Sequence, residues 1–458
     1  YTLANANTST DIDGSVAIGS LSQAENKTGV GNVSVGKSAL QSNVQGDFNT
    51  AIGHESLKVV NGVNGQQHNT AVGYKSGLAM TTGKYNVIVG SEAGDAMTSA
   101  ESNTAVGFQS LSTNIDGDRN TAIGYQALTA QTGTSGEVHN TAVGWSAGAA
   151  VTTAVDNTLV GSEAGDALNT GGKNSVFGKG ALSNATTASG SVAIGHEAGR
   201  SISTGNNNIA IGEDALNGGT TTGDNNIAMG VYALDALSSG TDNIAIGANA
   251  GGELTTAIRN VLIGREAGFN IQGGDGSNTA IGVFALENVT TGKDNTGLGY
   301  SAKPSSATAI NQTMVGKGAT GQANHAVVLG DDDVTKVYMS QDGDAEMYAN
   351  GTINTSDERL KKDIQDSDLG LDFINKLRPV SYKFKKDKQD KKLKYGIIAQ
   401  EVQEVLKDSH EDFAGITEKG EYLGADYVQF IAPLMKAVQE LSEQNKVLEK
   451  RLEELESK

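Results

Sequence analysis

Apolar and polar positions along residues 15–330 repeat with a period of 17, counted from the glycine that ends phrases such as NTAIG and NTAVG. Nineteen such glycines run from Gly19 to Gly330, and most neighbouring pairs are spaced at that period, with a few spacings slightly longer and the last one shorter. A period this regular signals one structural unit stacked many times. The residue before the glycine is apolar in all 19 copies, and the residue three before it is β-branched in 18, failing only at Ser175. These two sites share parity, so on an extended strand they face the same side. The residue three after the glycine is Ala or Ser in 18 copies, failing only at Asp333, which predicts a turn pressed against its neighbour. Asn stands four before the glycine in 15 copies.

Each unit therefore reads as a short strand, a Gly-permitted bend, a small-residue segment and a polar return loop. Helical periodicity is absent, and the period is too short for a βαβ unit. The predicted architecture is mainly β: stacked coils of a parallel β-roll or β-helix, with columns of Val and Ile as the core and Asn stacked in a ladder. At about 4.8 Å per coil the rod would extend roughly 85 Å. The two longest spacings, before Gly73 and Gly144, carry three extra residues in the return loops NGVNGQQH and TGTSGEVH, which places them as surface bulges on one face.

The pattern changes after residue 330. Residues 331–355 keep only short strand-like alternation around Val337, Tyr338 and Met339, and read as a β neck and linker. From residue 356 the chain is charged, and from Tyr427 apolar residues alternate four and three apart: Ile431, Leu434, Val438, Leu441, Asn445, Leu448 and Leu452. That spacing predicts a coiled-coil helix within 424–458, with Asn445 at a seam position where it fixes register. The domains expected are 1–330, 331–355 and 356–458.

Composition narrows the function. Of 458 residues 60 are Gly and only 3 are Pro, which with the fixed period argues for a repeat rather than a disordered linker. The net charge is −19; residues 1–355 carry 15 Lys and Arg against 31 Asp and Glu, so nucleic acid is not an expected partner. Cys is absent, no apolar run is long enough for a transmembrane helix, and the start YTLANANTST has neither the basic region nor the apolar core of a signal peptide. Membrane insertion is therefore not expected.

Apparent catalytic motifs dissolve into the repeat. GWSAG at 144–148 fits the nucleophile elbow, yet the same slot reads GSEAG at 161–165 and GHEAG at 195–199, so Ser146 is an ordinary occupant of a variable position. GGDGSN at 273–278 echoes a calcium-binding turn but occurs once, without the tandem copies that binding needs. His54, His68, His139, His196, His325 and His410 are scattered, and neither a metal nor a cofactor is expected. Tyr74, Phe108, Tyr125, Trp145 and Tyr300 follow motif glycines; they either pack over neighbouring coils or, if exposed, offer contact surface for a host glycan. A glycan-degrading enzyme would need carboxylates clustered in the coils, and no such cluster is expected from the sequence.

The phrase N-T/S-A-V/I-G-x-x-A/S over residues 15–330 resembles the head repeats of trimeric bacterial autotransporter adhesins, whose usual repeat is shorter than the one found in this chain. The resemblance implies parallel β-rolls packed as trimers.

The stretch INTSDERLKKDI at 353–364 has two readings. The plain one is a helix start, with Ser356 as N-cap, Asp357 and Glu358 in the first turn, and Leu360 and Ile364 four apart. The other follows from SDERLKKDI, LRPVSYKFK at 377–385 and YGIIAQEVQEV at 395–405, which together resemble the C-terminal intramolecular chaperone of endosialidases and other phage tail spikes and fibres. That resemblance implies a homotrimeric fibre assembled by residues 356–458. It also implies self-cleavage between Thr355 and Ser356, with Ser356 as nucleophile, Lys361 as its base, and Asp357 and Arg359 in supporting roles. The chemistry is coherent: a serine hydroxyl attacks only when a base takes its proton, and an amine serves when desolvation or a nearby cation lowers its pKa. Residues five apart on a regular helix face apart, so such a dyad needs Ser356 in a loop. The function so implied is a structural virus-particle fibre for host attachment, binding itself, other tail or baseplate proteins and a host glycan or protein receptor. The alternatives are a bacterial surface adhesin or a glycan-degrading tailspike.

Overall fold

Each repeat forms a strand of only three residues, because the motif glycine that follows turns the chain sharply. In the computed structural model 19 such strands, from Val16–Ile18 to Val327–Leu329, form one parallel sheet. Motif residues pair with motif residues throughout: Thr121, Ala122 and Ile123 lie beside Thr141, Ala142 and Val143 although one of the two longest loops separates them. The three extra residues are thus absorbed in the return loop without a slip of register, which would have reversed every side chain. Both long loops add a two-residue parallel pair, Gly46–Asp47 with Gly65–Gln66 and Gly117–Asp118 with Gly136–Glu137.

The structure describes residues 14–61, 65–132, 136–337, 358–383, 393–407, 412–419 and 422–457. The chain divides into two units, Tyr1–Asp344 and Ala345–Lys458.

The motif glycine is obligatory for two reasons. Its φ lies in the positive region, +144° at Gly124, and a Cβ there would stand 2.0 Å from the carbonyl oxygen of Gly144 in the next coil. Non-glycine residues also take left-handed backbone in every coil, such as Glu163 (φ 58°) two after the glycine and Leu128 (φ 50°) four after it. Such a residue costs about 1–2 kcal/mol. Bonds between coils hold it in place: Glu163 N–H donates to Trp145 O at 2.8 Å and Leu128 N–H to Ala147 O at 3.0 Å.

The Asn ladder forms as expected. The Asn157 side-chain amide donates to Asn140 Oδ1 at 3.2 Å and to Gly171 O at 3.1 Å, while its own Oδ1 accepts from the backbone and side-chain N–H groups of Asn174, each at 3.0 Å. The column is fully buried and is interrupted at Ser191, whose Oγ accepts the Asn208 N–H at 3.3 Å.

The core is not made of the Val and Ile columns. On a three-residue strand the two outer side chains share one face and the middle one takes the other, and it is the middle residue that points inward: Ala51, Ala122, Ala142 and Leu159 are fully buried. Bulk arrives from the positions four and seven after the glycine. Where the middle strand residue is large, the position four after the glycine is often glycine, as in Ile88 with Gly94, Leu159 with Gly165 and Leu262 with Gly268, although Val176 stands with Leu182; where it is Ala, Leu often fills that position, as in Ala122 with Leu128. So short a coil encloses a narrow interior, and such exchanges help to fill it. The predicted core column instead forms an outward apolar row, with Ile52, Ile123, Ile194, Met229, Ile246 and Ile281 exposed at 37–40%. The Ala or Ser three after the glycine is buried as expected.

The second unit contains helices α1 (Leu371–Lys376), α2 (Ala399–Leu406) and α3 (Ile431–Glu456), and two antiparallel pairs, Val380–Tyr382 with Lys394–Gly396 and Ile416–Lys419 with Tyr422–Ala425. Its core is Phe373, Val402, Leu406 and Phe430, with Phe413 against the rings of Phe430 (5.3 Å between centroids) and Phe373 (6.0 Å). Pro433 lies in the first turn of α3, where its missing N–H is no loss.

Candidate functional site

Thr355, Ser356 and Asp357 lie outside the described residues, and so do Tyr338 and Met339 of the predicted neck strand. The helix predicted from Ser356 through Ile364 is not formed. Glu358–Leu360 makes a single 3-10 turn, closed by the Lys361 N–H donating to Glu358 O at 3.0 Å, and 361–369 carries no regular element. Asp363 adopts φ 56°, which ends any helical continuation, and Ile364 is exposed. The i, i+4 spacing of Leu360 and Ile364 misled because Ile364 stays in solvent, and a short isolated helix is marginal without packing. Arg359 and Lys361 both have exposed side chains.

Two of the three C-terminal phrases meet in one small fold. LRPVSYKFK supplies the strand Val380–Tyr382 and YGIIAQEVQEV supplies its partner strand and α2. Arg378 from the first phrase forks onto Glu401 from the second: Nε donates to Oε2 at 3.1 Å and Nη2 to Oε1. The guanidinium holds the Glu401 carboxyl below its ordinary range. Ile397 N–H donates to the Tyr427 hydroxyl at 3.2 Å, and Leu371 N–H donates to Glu440 Oε2 at 2.7 Å, fixing α1 to α3.

One face of α3 is used inside the unit, where Pro433 and Ala437 are buried. The other is not: Ile431, Leu434, Val438, Leu441, Leu448 and Leu452 of the predicted seam are 47–64% exposed. Sequence reasoning identified this seam but missed Phe430, the aromatic anchor at the foot of the helix, because it stands outside the heptad.

On the rod, the aromatic residues after the motif glycines both stack and stay exposed. Phe108, Tyr125 and Trp145 form a ladder with centroids 5.4 and 6.2 Å apart and planes within 18°. Tyr74 stacks on His54 at 5.7 Å, whereas Tyr300 meets Phe284 edge-on. His68 lies between the rings of Phe48 and Tyr85. His139, in the equivalent slot, is within 3.6 Å of an Asp156 carboxylate oxygen. Ser146 of GWSAG is a nearly buried left-handed corner whose N–H donates to Tyr125 O. Asp275 of GGDGSN is taken by Lys293 at 2.7 Å, which keeps that carboxyl below its usual range.

No curated protein matches the chain. Residues 356–409, which contain the SDERLKKDI turn, the first antiparallel pair and α2, match the family described as the chaperone of endosialidase.

Proposed function

We propose that the chain is a fibre protein of a virus particle, assembled as a homotrimer by residues 356–458 and used for attachment to a host surface. The observation that carries this reading is a stacked-coil rod joined in sequence to a chaperone-of-endosialidase segment. Self-association is supported by two exposed apolar features that a single chain leaves bare, the Ile and Val row of the sheet and the α3 seam. Long parallel stacking is slow to form and prone to slip, so a segment that gathers three chains at one end gives the rod a common register. The domain division that follows is a rod over 1–330, a neck over 331–355 and the chaperone over 356–458.

The same reading makes the chaperone self-cleaving between Thr355 and Ser356. The Ser356 hydroxyl attacks the Thr355 carbonyl while Lys361 accepts its proton; the Thr355–Ser356 C–N bond breaks as that proton passes to the Ser356 amine, and water then hydrolyses the resulting ester and releases the rod, with Asp357 and Arg359 orienting the turn. A mass measurement of the purified Ser356→Ala variant, which stays uncut, tests the assembly under native conditions, with three times the 47.1 kDa chain mass expected. Denaturing gels with N-terminal sequencing test the cut: the wild type yields a fragment beginning at Ser356 and Ser356→Ala yields none. Equal processing in both, or a monomer, overturns the corresponding half of the proposal.

A further inference from the structure

One interruption of the repeat opens a built cavity on the rod. Two after the glycine the coils starting at Gly161, Gly178 and Gly195 carry Glu163, Gly180 and Glu197; five after it they carry Asp166, Ser183 and Arg200. The middle coil therefore lacks the long side chains of its neighbours, leaving a notch of about 340 Å³. That volume lies within the range of small-ligand sites, about 300–1,000 Å³. The corner backbone is the same in all three coils, with φ 58°, 64° and 53° at Glu163, Gly180 and Glu197, so Gly180 is not required by the fold there. A Cβ on Gly180 would meet only Glu197 Cγ, at an ordinary 3.5 Å.

The notch is chemically unfinished on one side. Glu197 is paired with Arg200 at 2.8 Å, but across from it Asp166 Oδ1 is enclosed without a hydrogen-bond partner, and it is the one such buried side-chain atom among the described residues. Neither the Glu163 carboxylate nor the Lys179 ammonium at the rim forms an ion pair among the described residues, though both line the same space. The Glu163 carboxylate and the Lys179 ammonium thus line one cavity without pairing with each other, which suits a ligand whose groups both donate and accept. Beside the notch stands the end of the aromatic ladder. Tyr125 covers one face of Trp145, and the next residue in that column is Ser162, so no ring covers the other face. Glu163 N–H donates to Trp145 O at 2.8 Å, tying the platform to the notch wall.

The geometry points to a saccharide-binding site in which one pyranose lies against the free face of Trp145 and hydroxyls of the adjoining sugar enter the notch between Glu163, Asp166 and Lys179. Three carboxylates against Lys179 and Arg200 leave the site anionic, so it takes neutral or amino sugars and disfavours uronic ones. The charged rows that form the notch lie beyond the glycine bend from the apolar row, on the solvated side of the coil. This inference rests on the attachment reading above and gives it a location.

Trp145 is the only tryptophan in the chain, so its fluorescence reports on this site alone. The full-length protein is titrated with maltotriose, cellotriose, chitotriose, the chitosan trimer and trigalacturonate. At least one of the four non-acidic trisaccharides is expected to give a saturable change, with trigalacturonate the weakest. Gly180→Gln, which fills the notch as the neighbouring coils do, is expected to weaken that binding by about tenfold or more. The melting temperature of this variant should fall only slightly, because Glu163 and Glu197 already adopt the same left-handed backbone at this corner. No saturable change with any of the five, or unchanged affinity in Gly180→Gln, overturns the site. Binding of the labelled full-length protein to host cells is read in parallel. Cell binding that persists without a fluorescence response removes this site and leaves the attachment reading standing, while loss of cell binding alone does the reverse.

Discussion

The rod and the C-terminal unit solve opposite problems with the same chain. Every rung of the rod is fastened to the next by backbone bonds, an Asn column and a core that continues without a break, so a single chain completes its interior. The C-terminal unit gathers only Phe373, Val402, Leu406 and Phe430 into a buried cluster, yet carries the long helix α3 with its seam uncovered. One region is finished along its length and bare on one outer face; the other has a small core and a long helix whose apolar seam is uncovered. Repetition makes the first robust to insertions in its loops and intolerant of any change at the column that must stack. The second has no repeated column, and its weak point is the seam.

The largest effect is expected at the stacking column. Gly124→Ala places a methyl 2.0 Å from the Gly144 carbonyl oxygen at a φ of +144°, and the two coils must part to admit it. The loss should be on the order of 4 kcal/mol or more, read as an early melting step of the rod by circular dichroism. A melting curve indistinguishable from the wild type would show that stacking is not what fixes the glycine. The matching change in the other region is Val438→Glu together with Leu441→Glu. Both positions are exposed in one chain, so the fold of the unit should survive while the native mass falls from trimer to monomer. If the trimer persists, the seam packs elsewhere and the contrast between the regions weakens.

A smaller effect is expected in the ladder. Asn157→Ala removes the acceptor for two Asn174 donors and the donor to Gly171 O, all inside the coil. Buried partners left unmatched cost about 1–3 kcal/mol. The converse repair, Ser191→Asn, puts an amide where the column is broken, beside the Asn174 Oδ1 that now receives only the Ser191 backbone N–H at 2.9 Å. A gain of about 0.5–1 kcal/mol is expected from the added bond. Differential scanning calorimetry of the pair reads both signs, and stabilisation by Asn157→Ala or destabilisation by Ser191→Asn would rule out the ladder as a source of stability.

Much of this was legible in the sequence because repetition averages the noise of any one copy. The period, the Asn ladder and the tight Ala or Ser site each followed from nineteen parallel observations. Which face of the strand points inward did not, since hydrophobicity alone cannot tell a core column from a column waiting for a partner. Ala122 is the buried residue and Ile123 the exposed one, and the clue was volume: a narrow coil admits Ala at the strand and Leu128 at the corner. In the second unit no repeat was available. The heptad of α3 was plain, whereas the helix expected at 356–364 rested on a cap and one apolar pair, and tertiary packing did not support it.

The smallest effect separates half-buried aspartates from ion-paired carboxylates and so sharpens the same contrast on the rod itself. Asp95, Asp166 and Asp235 occupy one column, five after the motif glycine, and burial raises each above the ordinary aspartate value. A folded pKa above the unfolded one means that the native state binds more protons in the window between them, so these groups make the rod more stable as pH falls towards that window. Glu55, Glu197 and Asp275, held low by hydrogen bonds from Lys58, Arg200 and Lys293, act in the opposite sense and lose their contribution as pH falls through their folded values. Their basic partners are partly exposed, so water and salt screen these pairs, and the half-buried aspartate column should prevail at physiological ionic strength. The rod is therefore expected to melt higher near pH 4.5 than at pH 7. The triple change of Asp95, Asp166 and Asp235 to Asn should raise the pH 7 value and flatten the difference. A wild type that melts lower at pH 4.5, with the triple variant following the same slope, would mean that the ion pairs govern the rod's response to acid.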